Sequence, residues 1–215
     1  MRVTAIERQQ RKKRVNLFLD GRFALGLSLE VAAQAGLRVG DEIDEGTVRA
    51  LREEEARTDA IAAGLRLLSY RPRSEAELRQ RLSRRGTPSP LVDATVKRLR
   101  EMGLLDDAAF ARAWVESRDR ASPRGRRLLL QELRAKGVEV NISREPVEGV
   151  DESDAALRAA VRRATSLRRL PYEEFRRRLG DFLRRRGFDY EVIHETVERC
   201  WRESAEPGAG SDRTR

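Results

Sequence analysis

The sequence contains one cysteine, Cys200, and one histidine, His194, among its 215 residues. These counts exclude an internal disulfide framework and a zinc site built on cysteines. A catalytic triad or a multi-histidine metal site would have to depend on His194 alone. No apolar run approaches the roughly 20 residues of a membrane span, and the first residues lack the apolar stretch of a signal peptide. We therefore expect a soluble, cytoplasmic protein without a metal site.

Aromatic residues are also scarce, at 5%, so a core has to be built from Leu, Val, Ile and Ala. Charge is what the sequence has in excess: 38% of the residues are charged, against roughly 25% in ordinary globular chains. Lys and Arg together number 45 and Asp and Glu 36, which gives a net charge of +9. This balance favours an anionic partner, such as nucleic acid, an acidic protein surface or a membrane face.

The first 58 residues differ from the rest of the chain and predict a separate module. Apolar and polar residues alternate over 15–19 and again over 23–27, on either side of Asp20-Gly21. An Asp-Gly dipeptide between alternating segments indicates a β-hairpin, because a type I′ turn needs positive φ at both central residues. Ser28 can cap a short helix that Gly36 closes.

The remainder of the chain carries an internal repeat. Three segments, 78–86, 129–137 and 179–187, each have leucine eight and four residues before a glycine, with spacings of 51 and 50 residues. The leucine pair lies on one face of a helix, and the glycine suits a left-handed position after its last turn. We expect six leucines to be buried at equivalent places: Leu78, Leu82, Leu129, Leu133, Leu179 and Leu183.

This repeat predicts a mainly α-helical protein, a tandem array of three three-helix repeats that follows the N-terminal β-hairpin module. The expected repeats span 59–104, 105–150 and 151–203, and a disordered tail spans 204–215. In the middle repeat the third helix should be short or kinked at Pro146, because proline removes a helical hydrogen bond. Ser122-Pro123 is typical of an N-cap followed by a first-turn proline.

No group of residues predicts catalysis. The carboxylates Asp106 and Asp107 are interpreted as a helix N-cap and its first turn rather than as metal ligands. His194 has no partner motif nearby, and Cys200 aligns with Leu99 in the repeat, which indicates a core position. The glycines form no nucleotide-binding pattern. We therefore expect no enzyme activity and no cofactor.

Arginine is concentrated in the last two repeats. Residues 156–186 contain eleven arginines and three acids, and residues 120–136 contain six basic residues and one acid, Glu132. Helical phase places the leucines at 128–130 and 133, and the apolar residues at 175, 179, 182 and 183, on the buried faces. Five arginines then point outward as candidates to contact a partner or phosphate: Arg124, Arg127, Arg134, Arg177 and Arg184. The alternative is that they form an ordinary solvated surface.

Two stretches resemble the RecX family of recombinase regulators. They are residues 67–82, Leu-Leu-Ser-Tyr-Arg-Pro-Arg-Ser-Glu-Ala-Glu-Leu-Arg-Gln-Arg-Leu, and residues 103–118, Gly-Leu-Leu-Asp-Asp-Ala-Ala-Phe-Ala-Arg-Ala-Trp-Val-Glu-Ser-Arg. The second stretch is the more specific, and the hairpin at 17–21 is similar to an extension found in part of the family. The resemblance covers roughly residues 60–203.

The resemblance implies a protein without catalytic activity that binds the RecA filament on single-stranded DNA and inhibits strand exchange and ATP hydrolysis. The recombinase partner comes from the resemblance alone, and a monomer is expected. A basic helical-repeat protein that acts on nucleic acid directly is the alternative, with weak DNA contact also possible beside the recombinase. Steep salt dependence of binding to naked DNA would favour that alternative.

Overall fold

The computed structural model describes residues 1–10 and 13–205, which form three β-strands and ten α-helices. The chain divides into two compact units. The first unit comprises Met1–Arg73 and Glu77–Leu105, and the second comprises Ser74–Ala76 and Asp106–Arg215. The predicted tail lies outside the described residues from position 206 onward.

A small antiparallel sheet opens the first unit, with strands β1 (Val3–Arg8), β2 (Arg14–Leu19) and β3 (Arg22–Ser28) in that order. The turn between β2 and β3 has φ of 48° at Asp20 and 78° at Gly21. The predicted hairpin is therefore confirmed, and β1 extends it to three strands. One face of the sheet carries the alternating apolar residues that pack into the core of this module.

Two helices follow the sheet. Helix α1 (Leu29–Ala35) begins at its N-cap Ser28 and ends at Gly36, which has φ of 61°. Helix α2 (Glu45–Tyr70) runs for 26 residues without interruption, because no proline occurs in this stretch. The predicted division between residues 58 and 59 thus lies inside α2.

The two ends of α2 belong to different cores. Val48 and Leu51, near its beginning, pack with the apolar face of the sheet. Ala63, near its end, packs with helices α3 (Glu75–Arg84) and α4 (Ser89–Glu101). These three helices form the first three-helix domain.

The second unit contains six further helices, which form two three-helix domains. They are α5 (Asp107–Ala121), α6 (Arg126–Ala135), α7 (Val140–Glu148), α8 (Glu152–Leu167), α9 (Tyr172–Arg185) and α10 (Tyr190–Ala205). Pro146 lies inside α7, which has nine residues against 13 in α4 and 16 in α10. Helix α10 includes residues 204 and 205, so the helix extends two residues beyond the predicted start of the tail.

The repeated leucines form the cores of the three domains. All six have 2% or less of their surface exposed, which confirms the prediction. The glycines after them, Gly86, Gly137 and Gly187, have φ of 82°, 77° and 83°. They occupy the left-handed position that ends each of these helices.

Two local predictions are wrong. Ser122 is not an N-cap: it follows the last residue of α5, and its N–H donates to the carbonyl of Arg118. Helix α6 begins four residues later, after Gly125. Leu130 was expected to face inward but is 36% exposed, since it lies one helical step beyond the face that carries Leu129 and Leu133.

Helix α9 is one turn longer than its counterpart in the preceding domain. It has 14 residues where α6 has 10, and the repeat spacing of 50 residues places the extra turn at its beginning. Phe175 stands where the preceding domain has Gly125. Its buried ring lies 5.1 Å from the ring of Trp201, and Tyr172 contacts the same indole at 5.3 Å.

Candidate functional site

Arg124, the first of the five predicted arginines, does not point freely outward. Its side chain is 27% exposed and forms an ion pair with the carboxylate of Glu132. Burial lowers the pKa of the Arg124 guanidinium, and the nearby charges of Arg118 and Arg186 lower it further. Helical phase gave the wrong direction because Arg124 precedes the first residue of α6.

Glu132 is the centre of a packed polar cluster between α5 and α6. Its carboxylate accepts hydrogen bonds from Nε1 of Trp114 and Nε of Arg118, each at 2.9 Å. The Arg118 guanidinium also lies over the Trp114 ring, 4.3 Å from its centroid, in a favourable cation–π contact. This cluster, with Arg124 in it, stabilises the second three-helix domain internally.

Arg127 and Arg184 are exposed and lie close together. An Nη2 of Arg127 donates to the carbonyl oxygen of Arg184 at 3.2 Å. The Arg184 guanidinium pairs with Asp181 at 2.8 Å, so part of its charge is already compensated. Arg134 and Arg177 are also exposed, and within the described residues neither forms an ion pair.

Arg177 and Arg184 line an open groove of about 580 Å³ between α9 and α10. Ile193 lines the groove as well, and the rings of Tyr190 and His194 stand beside it, parallel to within 4°. His194 is exposed. Three carboxylates on the same rim pair with arginines of α9, so the groove itself carries little excess charge.

The largest group of uncompensated arginines lies elsewhere, at the end of α8 and the start of the turn into α9. We call Arg162, Arg163, Arg168 and Arg169 the α8–α9 arginine cluster. All four are exposed, and in the described part of the chain no carboxylate pairs with them. Helical phase in α6 and α9 does not point to these residues, because they lie outside both helices. The signal was present: no acidic residue occurs from 155 to 172.

At two places in the second unit an acidic side chain accepts a hydrogen bond from the backbone N–H of the first residue of a helix. The N–H of Glu75 donates to Asp107 at 2.8 Å, and the N–H of Arg126 donates to Glu152 at 2.9 Å. Each acid is the first residue of the first helix in a domain. Because free N–H groups at a helix start attract negative charge, each carboxylate stabilises the helix that it contacts.

A second contact accompanies each of these hydrogen bonds. Ser74 Oγ donates to the carbonyl of Lys136, and the N–H of Gly125 donates to the carbonyl of Arg186 at 2.9 Å. At the second place the two backbone segments approach so closely that a Cβ on Gly125 would lie 2.2 Å from the carbonyl oxygen of Gly187. The same contact set therefore occurs twice in the second unit, about 50 residues apart.

The half-buried carboxyl of Asp107 leads to a pH-dependent prediction. Burial is the main reason that its pKa is raised, although its hydrogen bond to the N–H of Glu75 acts in the opposite direction. An acid whose folded-state pKa exceeds the unfolded value, about 3.9, contributes stability that is lost as pH rises through the folded-state pKa. Asp107→Asn removes this loss, since an amide does not ionise.

We therefore expect the free energy of unfolding of Asp107→Asn, minus that of the wild type, to increase as pH rises above about 3.9. Urea unfolding followed by circular dichroism at a series of pH values measures it. A difference that is constant across the series, or that falls with rising pH, would show that burial does not raise the pKa of the Asp107 carboxyl.

Other kinds of site are not evident in the part of the chain that the structure describes. It contains no cluster of three or more His, Cys, Asp or Glu residues arranged to hold a metal. None of its helices is both long and apolar enough to cross a membrane. Cys200 is buried in the core of the third domain, and burial raises the pKa of its thiol, in keeping with the expected packing role.

Family models for four successive segments match most of the chain. They are the regulatory protein RecX N-terminal domain over residues 1–44 and the first, second and third three-helix domains of RecX over 60–99, 106–145 and 151–197. The first of the three matches to three-helix domains begins inside α2 and ends in α4, the second runs from the start of α5 into α7, and the third runs from the start of α8 into α10.

Curated relatives carry the same name. The regulatory protein RecX of Chlorobium limicola is 36% identical over 153 residues, which cover 71% of this chain and 96% of the relative. That of Thermobifida fusca is 39% identical over 150 residues, 66% of this chain and 80% of the relative.

Solved structures agree with the fold. A crystal structure of regulatory protein RecX superposes with a TM-score of 0.74 at 27% identity, covering 92% of this chain and 98% of that one. RecX from Lactobacillus salivarius superposes with a TM-score of 0.63 at 19% identity, covering 68% of this chain and 97% of that one, and it supports the fold alone.

Proposed function

Because this chain belongs to the RecX family of regulatory proteins, we propose that it regulates the RecA recombinase without being an enzyme. It binds the RecA filament on single-stranded DNA and inhibits strand exchange and ATP hydrolysis. The observation that carries this proposal is the exposed arginine surface on the three-helix domains of the second unit. The second unit also contains Cys200, which is buried, and His194, which is exposed, and we assign neither a catalytic role.

The construction of the second unit supports binding to a polymer. Its contact set is used twice at a spacing of about 50 residues, so equivalent surfaces recur along the unit. Weak contacts to successive subunits of a filament add through effective concentration, and repeat proteins commonly bind through such extended surfaces. A ligand that binds one filament state better than another shifts the population by its difference in affinity.

We assign the contact with the filament first to Arg127, Arg134 and Arg177. Their guanidinium groups are exposed and have no carboxylate partner among the described residues. Asp181 compensates part of the charge of Arg184, and Arg124 pairs with Glu132. These two arginines therefore contribute less to the proposed contact. The opposing groups would be acidic side chains of the recombinase, DNA phosphates or both, since guanidinium binds either in a bidentate manner.

Reversing the charge of Arg127, Arg134 and Arg177 to Glu together should weaken inhibition about tenfold, because three exposed ion pairs at about 0.5 kcal/mol each correspond to roughly that factor. The assay is ATP hydrolysis by the recombinase on single-stranded DNA, titrated with the wild type and the variant near physiological salt, where screening is already substantial. Thermal unfolding should be nearly unchanged, since exposed charges contribute little to stability.

A matched variant controls for the change in net charge. Arg57, Arg144 and Arg199 are exposed and each pairs with a glutamate three or four residues away, so their reversal to Glu changes the charge equally. The control should retain most of its inhibition. Equal potency of the two variants would show that the three arginines form an ordinary solvated surface. A wild-type protein that leaves ATP hydrolysis unchanged would refute the proposed regulation itself.

The second candidate function is a protein that acts on nucleic acid directly. The uncompensated charge of the α8–α9 arginine cluster favours it. It predicts binding to naked single- or double-stranded DNA with a steep salt dependence, and inhibition of the recombinase that an excess of DNA abolishes. The filament proposal predicts instead that the recombinase on its DNA competes successfully with naked DNA.

A further inference from the structure

Two phenylalanines of the β-hairpin lie outside the core of their module. Phe18 stands between Leu17 and Leu19 in β2, whose side chains are buried, so its ring is on the opposite face of the sheet. Phe23 is the cross-strand partner of Phe18 in β3 and is 60% exposed. Neither ring packs with the described residues of the module's core.

An exposed phenylalanine is exceptional in this chain. All six phenylalanines lie in the part that the structure describes: three are buried, and Phe18 and Phe182 are partly buried. Phe23 is therefore the one that is largely in water. A cross-strand aromatic pair stabilises a hairpin modestly, but the contact with Phe18 leaves more than half of the surface of Phe23 uncovered.

The turn that carries these rings is fixed by hydrogen bonds to β1 and the residues before it. The N–H of Arg2 donates to Oδ1 of Asp20 at 2.8 Å, and the N–H of Asp20 donates to the carbonyl of Arg2 at 2.9 Å. Thr4 Oγ1 accepts from the N–H of Gly21 at 3.0 Å and donates to the carbonyl of Phe18 at 3.2 Å. Because this backbone is already ordered, a partner that binds the rings loses little affinity to the ordering of the turn.

The geometry of the two rings favours an apolar pocket over nucleic-acid bases. The ring centroids of Phe18 and Phe23 are 5.9 Å apart, and the ring planes meet at 78°. Bases stack on the faces of aromatic side chains. Two rings in this edge-to-face arrangement cannot present parallel faces to two neighbouring bases, whereas a pocket lined by aliphatic side chains can surround the Phe23 ring from several sides.

The charged residues beside the rings indicate what borders that pocket. Arg2 and Arg22 adjoin the turn, both are exposed, and no carboxylate in the described part of the chain forms an ion pair with either. The carboxylate of Asp20 accepts from a backbone N–H instead. The turn therefore has a positive excess, which carboxylates at the edge of a partner's pocket would complement.

We propose that the hairpin tip, which comprises Phe18, Phe23, Arg2 and Arg22, inserts the Phe23 ring into an apolar pocket edged by carboxylates on the protein subunits of the recombinase filament. This inference rests on the proposed function for its partner and assigns the N-terminal module a contact of its own. Aromatic side chains that fill a pocket and exclude water are typical of the centre of protein interfaces. Salt screens contacts between exposed charges but does not screen an apolar contact.

The test compares inhibition of ATP hydrolysis by the full-length wild type and by Phe23→Thr. Threonine is favoured in strands, so it preserves the hairpin while it removes the ring. Tyr70→Ala is the matched control, because Tyr70 is an aromatic residue of the same unit that is 78% exposed at the end of α2. Thermal unfolding of both variants establishes that they are folded.

Phe23→Thr should raise the half-inhibiting concentration about 10- to 30-fold, the effect of losing an aromatic anchor, and by the same factor at low salt and near physiological salt. Phe23→Leu, which keeps an apolar side chain, should recover most of this loss, and Tyr70→Ala should inhibit as the wild type does. Equal potency of Phe23→Thr and wild type, an equal loss in Tyr70→Ala, or a loss that disappears near physiological salt would overturn the proposal.

Arg22→Glu tests the same contact without removing the ring, and it decides the question if Phe23→Thr is unfolded. It should weaken inhibition about three- to tenfold at low salt, since it places a like charge against the carboxylates of the pocket. Unchanged potency would show that no acidic border is present. Phe23→Thr should bind a labelled oligo-dT as the wild type does, and weaker binding would show instead that the rings contact bases.

Direct capture of the recombinase on single-stranded DNA by the immobilised protein distinguishes this inference from the proposed regulation. If the wild type captures the filament better than Phe23→Thr does but leaves ATP hydrolysis unchanged, the contact stands and the regulatory function fails. If the wild type inhibits and both proteins capture the filament equally, the regulation stands and the hairpin contact is wrong. A wild type that captures no filament overturns the hairpin contact as well.

Discussion

Truncation of Leu133 to alanine is expected to lower the free energy of unfolding of the second unit by about 2–5 kcal/mol. Leu133 has 0% of its surface exposed and packs in the core of the second three-helix domain with Phe110, Val138 and Val147. Removing its branched end loses the transfer free energy of the methyl groups and leaves a cavity. Helix α7 packs on one side of this core, and because it is short it has few side chains that could move into the cavity.

Equilibrium urea unfolding followed by circular dichroism measures the effect. Leu130→Ala is the matched control: the same side chain is removed three residues earlier, where it is partly exposed, and the expected cost is below about 1 kcal/mol. Unfolding of Leu133→Ala at the same denaturant concentration as the wild type would contradict the assignment of this leucine to the repeated core.

Replacing Gly125 with alanine is expected to destabilise the second unit by about 1–3 kcal/mol. The added Cβ would lie 2.2 Å from the carbonyl oxygen of Gly187 and 2.4 Å from the backbone nitrogen of Phe188. Both are backbone atoms, so the two segments have to move apart. The φ of Gly125 is −71°, which alanine adopts without strain, and the cost is therefore steric.

Gly149→Ala provides the comparison. Gly149 ends α7 with φ of −68°, and its added Cβ would lie 3.7 Å from the carbonyl of Glu145, an ordinary contact. This variant should be neutral or slightly stabilising, since alanine reduces the entropy of the unfolded chain. Thermal unfolding compares the two, and equal midpoints would show that the close approach at Gly125 does not contribute to holding the domains together.

Much of the fold could be predicted from short-range patterns. The leucine and glycine spacing identified three equivalent helices because burial of one helical face depends on residues a few positions apart. The Asp20-Gly21 turn was equally local. In both cases the sequence motif and the structure that it stabilises occupy the same few residues.

The features that were missed depend on residues that lie far apart or outside a helix. Arg124 lies before α6, so its direction is set by Glu132 and the α5 side chains rather than by helical phase. The start of α6 is set by the approach of Gly187 to Gly125, 62 positions earlier in the chain. No pattern around Ser122 and Pro123 contains that information.

The candidate site was recoverable only in part. A count of arginines indicated the last third of the chain, but excess charge on a surface depends on which arginines already have partners. In α9 the glutamates at i−3 and i−4 compensate Arg176 and Arg178, whereas α8 has no acids in its second half. Counting acids at these spacings, together with arginines, would have indicated the α8–α9 arginine cluster.

The extra first turn of α9 makes the surface of the third domain differ from that of the second. In α6 a glycine leaves room for the backbone of the following domain, but α9 has Phe175 at that place, buried against Trp201. A further copy of the repeat with the contact geometry of α6 would meet this turn and its aromatic residues. The third domain therefore presents a surface here that the second domain does not share.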